Sequence, residues 1–216
     1  MKKALIAPSI LSANFADIKS EIAIAKNAGA DILHCDVMDG VFVPNITFGP
    51  KFIADIKKTT DLPLDVHLMI VKPEKYADAF IDAGADFLTL HYEATYLLLP
   101  TLEKIKKRGI KAGAVISPDT KVDVLRHCLT MCDIVLLMSV YPGFGGQKFI
   151  ENSIYRLKEL VSLVKEINPK CLIEIDGGVT LENATVIREA GADVIVAGNT
   201  FFTAKDKKEV VRIIKG

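Results

Sequence analysis

Ala28-Gly29-Ala30-Asp31-Ile32-Leu33-His34-Cys35-Asp36 runs from the end of one element into the whole of the next. Gly29 closes an amphipathic pattern and suits the left-handed position that terminates a helix. The apolar run that follows ends in a histidine and an aspartate two residues apart, which a strand places on one face. The opening phrase recurs as Ala83-Gly84-Ala85-Asp86 and as Ala190-Gly191-Ala192-Asp193, each time after a helical pattern and before an apolar run. The intervals are 55 and 107 residues. Eight units in 216 residues average about 27, so the phrase returns after about two and then four units of a βα repeat.

The remaining units fill in around these three. Apolar runs place strands near 5–10, 31–36, 63–68, 86–91, 111–116, 133–138, 171–176 and 193–197. Helical patterns lie near 15–28, 49–58, 73–83, 95–107, 121–128, 151–166, 180–189 and 205–214. Alternation of this kind implies a parallel sheet with helical crossovers. Eight units predict an α/β fold of one domain spanning 1–216, the closed (β/α)8 or TIM barrel. No linker or composition shift marks a second domain.

Half of the residues are hydrophobic, and 27 basic residues balance 27 acidic ones. That balance gives no bulk attraction to nucleic acid or to an anionic membrane. No run approaches the roughly 18 apolar residues of a membrane span. Met1-Lys2-Lys3 followed by Ala4 to Leu11 faintly resembles a signal peptide, but Pro8 and Ser9 interrupt it and a first buried strand fits better. Cys35, Cys128, Cys132 and Cys171 form no Cys-x-x-Cys pair and read as reduced thiols, so a cytoplasmic location is expected. His127-Cys128 with Cys132 is read as one amphipathic helix and its end rather than half of a zinc site.

Polar chemistry gathers at one end of the strands. Their C-terminal ends carry Ser9, His34 and Asp36, His67, His91, Ser117, Ser139, Asp176, and Gly198-Asn199. Their starts carry Asp31, Pro63, Asp86, Lys111, Asp133 and Asp193, which read as caps and solubilising residues. Barrel enzymes bear their sites on the C-terminal face. Two imidazoles and two carboxylates, with no cysteine in register, suit one divalent ion per chain: Zn, Fe, Mn or Co. His34, Asp36, His67 and Asp176 are the expected ligands, with His91 ranked as pocket lining. Met38, Met69 and Met138 fall at the same level. They divide between gap-filling in the core and a dry collar around reacting carbons.

Glycines cluster after the last strands, at Pro142-Gly143-Phe144-Gly145-Gly146-Gln147, at Gly177-Gly178 and at Gly198-Asn199. Barrel phosphate sites commonly lie there, with backbone N–H groups converging on the anion. A metal on one rim and a phosphate on the other frame a small phosphorylated sugar. Asp36 and Asp176 come from strands on different sides of the pocket. They are placed to remove a proton from one face of a carbon and deliver one to the other. A neighbouring carbonyl and a Lewis acid would stabilise the enediolate between the two steps. No lysine stands at a strand end for Schiff-base chemistry, and no dinucleotide fingerprint is present. Two other classes make different demands of the sequence. A decarboxylase or lyase barrel would carry an Asp-x-Lys-x-x-Asp array, where this chain has Asp65-Val66-His67-Leu68-Met69-Ile70. A non-catalytic sugar-phosphate binder would need neither the two acids nor the metal.

These motifs are similar to those of the ribulose-phosphate 3-epimerase family over essentially the whole chain. The segments that carry the resemblance are Ala7-Pro8-Ser9-Ile10-Leu11-Ser12-Ala13, His34-Cys35-Asp36-Val37-Met38-Asp39-Gly40, Phe42-Val43-Pro44-Asn45, Leu64-Asp65-Val66-His67-Leu68-Met69, Pro142 to Gln147, and Glu174-Ile175-Asp176-Gly177-Gly178-Val179. The resemblance implies a metal-dependent isomerase of the pentose phosphate pathway. It would interconvert D-ribulose 5-phosphate and D-xylulose 5-phosphate by inversion at C3. It also implies that Asp36 and Asp176 serve as both acid/base pair and metal ligands beside His34 and His67. Ser9 would contact the sugar, and His67, Met38, Met69 and Met138 would line the reacting centre. Gly143, Phe144, Gly145, Gly146, Gly177, Gly178, Gly198 and Asn199 would hold the phosphate. The expected partners are a phosphorylated ketose and further copies of the chain. Three positions depart from the family pattern: Ser117-Pro118 and Tyr141-Pro142 where Asn-Pro is usual, and Asn199 where Ala-Gly is usually followed by Ser. A related ketohexose 6-phosphate such as allulose 6-phosphate is the alternative substrate.

Overall fold

The computed structural model describes residues 3–216. Its strands are β1 (Leu5–Ala7), β2 (Leu33–Met38), β3 (Leu64–Met69), β4 (Phe87–His91), β5 (Lys111–Ile116), β6 (Ile134–Met138), β7 (Leu172–Asp176) and β8 (Val194–Val196). They are interleaved with α1 (Ile18–Ala28), α2 (Pro50–Lys57), α3 (Ala77–Asp82), α4 (Leu98–Lys107), α5 (Ser153–Ile167), α6 (Ala184–Ala190), α7 (Asn199–Phe202) and α8 (Lys207–Lys215). All strand pairs are parallel, in the order β1-β8-β7-β6-β5-β4-β3-β2. The ring closes between β1 and β2 through a parallel bridge of Ser9 with His34, where the His34 N–H donates to Pro8 O at 3.1 Å. The α/β barrel expected from the repeat is therefore the fold. Among the described residues no helix is long and apolar enough to cross a membrane.

The repeated phrase works as two devices. Gly29, Gly84 and Gly191 follow α1, α3 and α6 with φ of 97°, 100° and 118°, a backbone that favours glycine. The aspartates do more than cap or solubilise. Asp31 accepts from the Ile6 N–H at 2.9 Å, Asp86 from Leu64 at 2.7 Å, and Asp193 from Ile173 at 2.9 Å. Asp133 does the same for Ala112 at 3.0 Å. Each carboxylate satisfies an N–H early in the preceding strand and so ties neighbouring strands at the barrel's lower rim.

Strand parity divides the core. Leu33, Cys35 and Val37 of β2 face the helices, as do Leu64, Val66 and Leu68 of β3 and Ile173 and Ile175 of β7. The alternate residues His34, Asp36, Asp65, His67 and Glu174 are buried in the barrel interior. Below them Ile32, Phe87, Ile134 and Val194 form an apolar plug.

Several elements differ from the sequence expectation. β1 is short, because Pro8 lacks the N–H that would continue the ladder. Residues 122–127 form a 3₁₀ helix rather than part of an α-helix, and 129–131 another. Cys128 between them has φ −120°, outside the helical range, so the expected single helix is broken there. The pattern near 73–83 splits into a 3₁₀ turn, Pro73–Lys75, and α3. α7 is an extra short helix directly after β8 that periodicity did not reveal.

Gly113 on β5 is glycine for lack of room. A Cβ there would lie 2.6 Å from Ile134 Cγ2 and 2.7 Å from Ile134 O. Gly113→Ala should destabilise the protein by about 1–3 kcal/mol through overpacking, measured by urea unfolding. Unchanged stability would show that the interior is looser than this packing.

Candidate active site

Parity carries His34, Asp36 and Met38 of β2 inward together, and Asp65, His67 and Met69 of β3 likewise. Asp176 ends β7 and Met138 ends β6, paired in register. One ligand atom from each of His34, Asp36, His67 and Asp176 lies within 4.8 Å of all the others. Asp36 Oδ1 is 3.3 Å from His34 Nε2 and 3.4 Å from His67 Nδ1, and Asp176 Oδ2 is 3.9 Å from His34 Nε2. Bonds of about 2.0–2.1 Å to a tetrahedral ion require ligand atoms about 3.3 Å apart. His34 Nε2 and His67 Nδ1 are also buried without a hydrogen-bond partner. Buried orphan nitrogens facing carboxylates are what a divalent cation would satisfy, so the residues fit one.

The surroundings orient each group. His34 Nδ1 is 2.6 Å from Asp65 Oδ2, which directs its other nitrogen at the site. The Ser9 hydroxyl donates to Asp36 Oδ2. Thr47 bridges β2, donating to Asp36 O at 2.7 Å and accepting from the Met38 N–H at 3.0 Å. His67 is fully buried, as is His91, whose Nε2 lies 2.9 Å from His67 Nε2. His91 thus stands behind His67 and does not line the pocket, which corrects its ranking from sequence.

The two aspartates are pushed apart in acidity. Burial alone would raise Asp36, but the His34 and His67 imidazoles hold it well below the usual carboxylate range. Burial, and then the Asp36 charge, push Asp176 up to about 7. Glu174, two residues earlier, is raised to about 8 by burial and by the Asp65 carboxylate. Sequence reading noted Glu174 without giving it a place. Asp65 likewise shares a face with His67 by its even spacing, without a role that the sequence alone assigns.

Above these groups opens a cavity of about 150 Å³. Ser9, Asp36, Met38, Met69, Met138 and Asp176 form its base, while His34 and His67 lie beneath that surface. Gly143, Phe144, Gly145, Gly146, Gly177, Gly178, Gly198 and Asn199 line the other end, so the expected glycine cradle is assembled in one place. Gly178 has φ 63°, and a Cβ there would meet Phe149 N at 2.3 Å. A Cβ on Gly198 would meet the Ser12 hydroxyl at 2.7 Å. Ser12 lines the same end and was not foreseen. Its signal, a second serine three residues after Ser9, is too common to stand out. Asn45 Nδ2 donates to Gly143 O at 2.8 Å and joins the loop after β2 to the glycine loop after β6.

A family model described as the ribulose-phosphate 3 epimerase family matches residues 5–202. The chain belongs to the ribulose-phosphate 3-epimerase family. A member from Bacillus subtilis, a ribulose-phosphate 3-epimerase, is 49% identical over 98% of this chain and 98% of its own. One from Aquifex aeolicus is 49% identical over 98% and 95%, and a chloroplastic ribulose-5-phosphate-3-epimerase of Arabidopsis thaliana is 48% identical over 98% and 76%. Solved structures share the fold at low identity. A 3-hexulose-6-phosphate synthase superposes with TM-score 0.67 and 18% identity, covering 99% of this chain and 98% of its own. A 3-keto-L-gulonate-6-phosphate decarboxylase from Vibrio cholerae gives 0.72 and 12%, covering 99% and 96%. The chain is thus an enzyme of the epimerase family on a barrel that these two proteins share.

The raised carboxyls carry a pH signature. The folded chain holds protons on Asp176 and Glu174 at pH values where the unfolded chain, with values near 3.8 and 4.5, has lost them. Their stabilising contribution is complete at low pH and is lost as pH rises through about 7 and 8. Metal-free protein should lose stability between about pH 4 and 8, by up to about 1.4 kcal/mol per pH unit for each carboxyl that is ionised in the unfolded chain and still protonated in the folded one. Glu174→Gln should flatten that fall, read as Tm against pH. A slope equal to that of the unsubstituted protein would rule out the raised Glu174 carboxyl.

Proposed function

We propose that this chain interconverts D-ribulose 5-phosphate and D-xylulose 5-phosphate by moving a proton at C3. The observation that carries the reading is the pair Asp36 and Asp176, of opposed acidity, in the mouth of a barrel whose family is established. They stand on β2 and β7, three strands apart around a ring of eight. One is therefore ready to accept a proton and the other to give one. Ionised Asp36 takes the C3 proton from one face, and protonated Asp176 supplies a proton to the other. The roles exchange in the reverse direction. The Ser9 hydroxyl steadies Asp36. Met38, Met69 and Met138 keep water from the carbanionic carbon.

His34, Asp36, His67 and Asp176 would hold one divalent ion, Zn, Fe, Mn or Co. Bound there, it would supply Lewis-acid stabilisation of charge on the substrate's oxygens. The glycine segments after β6, β7 and β8, with Ser12 and Asn199, would take the phosphate. We extend the reading to a homo-oligomer in the cytoplasm. Tyr92, Tyr96, Leu97 and Leu99 are exposed along one segment after β4, as at association surfaces. The four buried free cysteines suit a reducing compartment.

Asp36→Asn and Asp176→Asn should each lower kcat by at least about 10²–10⁴-fold, with bound metal measured in every variant. A metal-loaded variant should lose epimerisation yet exchange the C3 proton with D₂O from its intact face. Near-normal epimerisation by metal-loaded Asp176→Asn would replace the two-carboxylate scheme with a single shuttling base.

The phosphate assignment has its own measure. Free ribulose should show kcat/KM lower than its 5-phosphate on the order of 10²-fold or more, because remote binding energy is spent at the reacting carbon. Equal values would remove the glycine cradle from the account. Faster turnover of allulose 6-phosphate would reassign the substrate and leave the proton chemistry in place.

A further inference from the structure

The two nitrogens of His67 face different tasks. Nδ1 points at Asp36 Oδ1, 3.4 Å away, and has no hydrogen-bond partner. Nε2 lies 2.9 Å from Nε2 of His91, close enough that one ring donates and the other accepts. The direction is set one step further out. His91 Nδ1 is 3.0 Å from Glu93 Oε2. An ionised carboxylate only accepts, so His91 Nδ1 carries hydrogen. Its Nε2 is then an acceptor, and His67 must donate from Nε2. That leaves the His67 Nδ1 lone pair bare toward the site. The opposite tautomer would turn a His91 lone pair against a carboxylate oxygen at 3.0 Å. Ser117 Oγ, 3.4 Å from the same nitrogen, is the more distant partner.

Glu93 is itself held in place. Its Oε1 accepts from the Ser117 N–H at 2.8 Å and from the Thr120 hydroxyl. Burial pushes its carboxyl up, but His91, Thr120 and Ser117 outweigh burial and lower it to about 2. Arg156 of α5, nearly buried, donates to Ser117 O at 2.9 Å and to Thr120 O at 2.6 Å. The rings are fixed by packing as well. His67 and His91 stack with centroids 5.0 Å apart, and Phe42 lies 4.8 Å from His91 on the mouth side.

We propose that His91 and Glu93 are positioning residues that lock His67 in the tautomer able to ligate a divalent ion through Nδ1, and so set metal affinity without touching metal or substrate. The inference rests on the metal site proposed above. His34 gets the same service directly from Asp65, whereas for His67 the carboxylate acts from one imidazole away.

The test uses full-length protein labelled with ¹⁵N-histidine, and variants His91→Phe, Glu93→Ala and the two combined. Long-range ¹H–¹⁵N spectra of metal-free protein should show His67 with its hydrogen on Nε2. Zn²⁺ dissociation constants, measured by competition with a chromogenic chelator, should weaken about 10–100-fold in each single variant, the range typical of such outer partners. The double variant should be no worse than the worse single one, because the two act in series. Circular dichroism and Tm establish that each variant is folded. Should His91→Phe not fold, Glu93→Ala reads the same prediction from a side chain that is already 26% exposed. Unchanged Zn²⁺ affinity in a folded variant, additive losses, or hydrogen on His67 Nδ1 in the unsubstituted protein would each overturn the inference alone. Unsubstituted protein that binds no Zn²⁺, Fe²⁺, Mn²⁺ or Co²⁺ would overturn the metal reading with it.

Discussion

Asp36 is a carboxylate with 3% of its surface exposed, set between two imidazole nitrogens and a serine hydroxyl. An isolated buried charge is costly enough to reject its own ionisation, so a carboxylate kept ionised there must be surrounded by compensating groups. Much of the barrel's upper half does that work. β2 and β3 lie in register so that Asp36 is beside His67. β1 bends after Pro8 and brings Ser9 into contact. Asp65 turns the His34 ring, and the His91–Glu93 pair turns the His67 ring. The imidazole nitrogens left facing Asp36 make no hydrogen bond among the described residues, which is why the cluster reads as a cation site rather than a static salt bridge.

The same constraint explains why the barrel is layered. Polar groups in the interior need mutual satisfaction, and a small domain supplies that at one level only. Ile32, Phe87, Ile134 and Val194 fill the interior below, where nothing needs to react. The lower rim is closed by Asp31, Asp86, Asp133 and Asp193, whose carboxylates occupy backbone N–H groups. Carboxylates therefore do two unrelated jobs in one chain. At strand starts they bond peptide N–H groups at the rim. At strand ends they sit among imidazoles and one another, and their proton affinities spread. Two solved structures share the barrel at 12% and 18% identity, so the scaffold is common to sequences that differ at most positions.

Glycine provides the other half of the pocket by its lack of a side chain. At Gly178 the backbone itself would collide with a Cβ, and at Gly198 the Ser12 hydroxyl would. Removing those side chains leaves backbone amides and a hydroxyl close to where a phosphate would lie. The result is an end lined by methionines and carboxylates and a backbone-lined end within one small cavity, the two ends that the proposed phosphorylated ketose would need.

The linear sequence by itself determined the eightfold repeat, the strand parity and the four side chains, His34, Asp36, His67 and Asp176, that converge in the barrel mouth. These depend on local rules. Period two decides which residues share a face, glycine marks where a helix turns out, and His34-Cys35-Asp36 reads the same in any context. Boundaries set by backbone detail were less legible. Pro8 shortens β1, Cys128 breaks the expected helix, and α7 is too short to show a period. Only the tertiary structure decided which groups act through others. His91 reads as pocket lining until its ring is seen behind His67, and Glu93, Asp65 and Ser12 become neighbours of the site only when the eight strands close into a ring. Tautomer and acidity are set by partners 24 to 140 residues away or by a ring two residues back, and distances through space of that kind have no counterpart in a one-dimensional pattern.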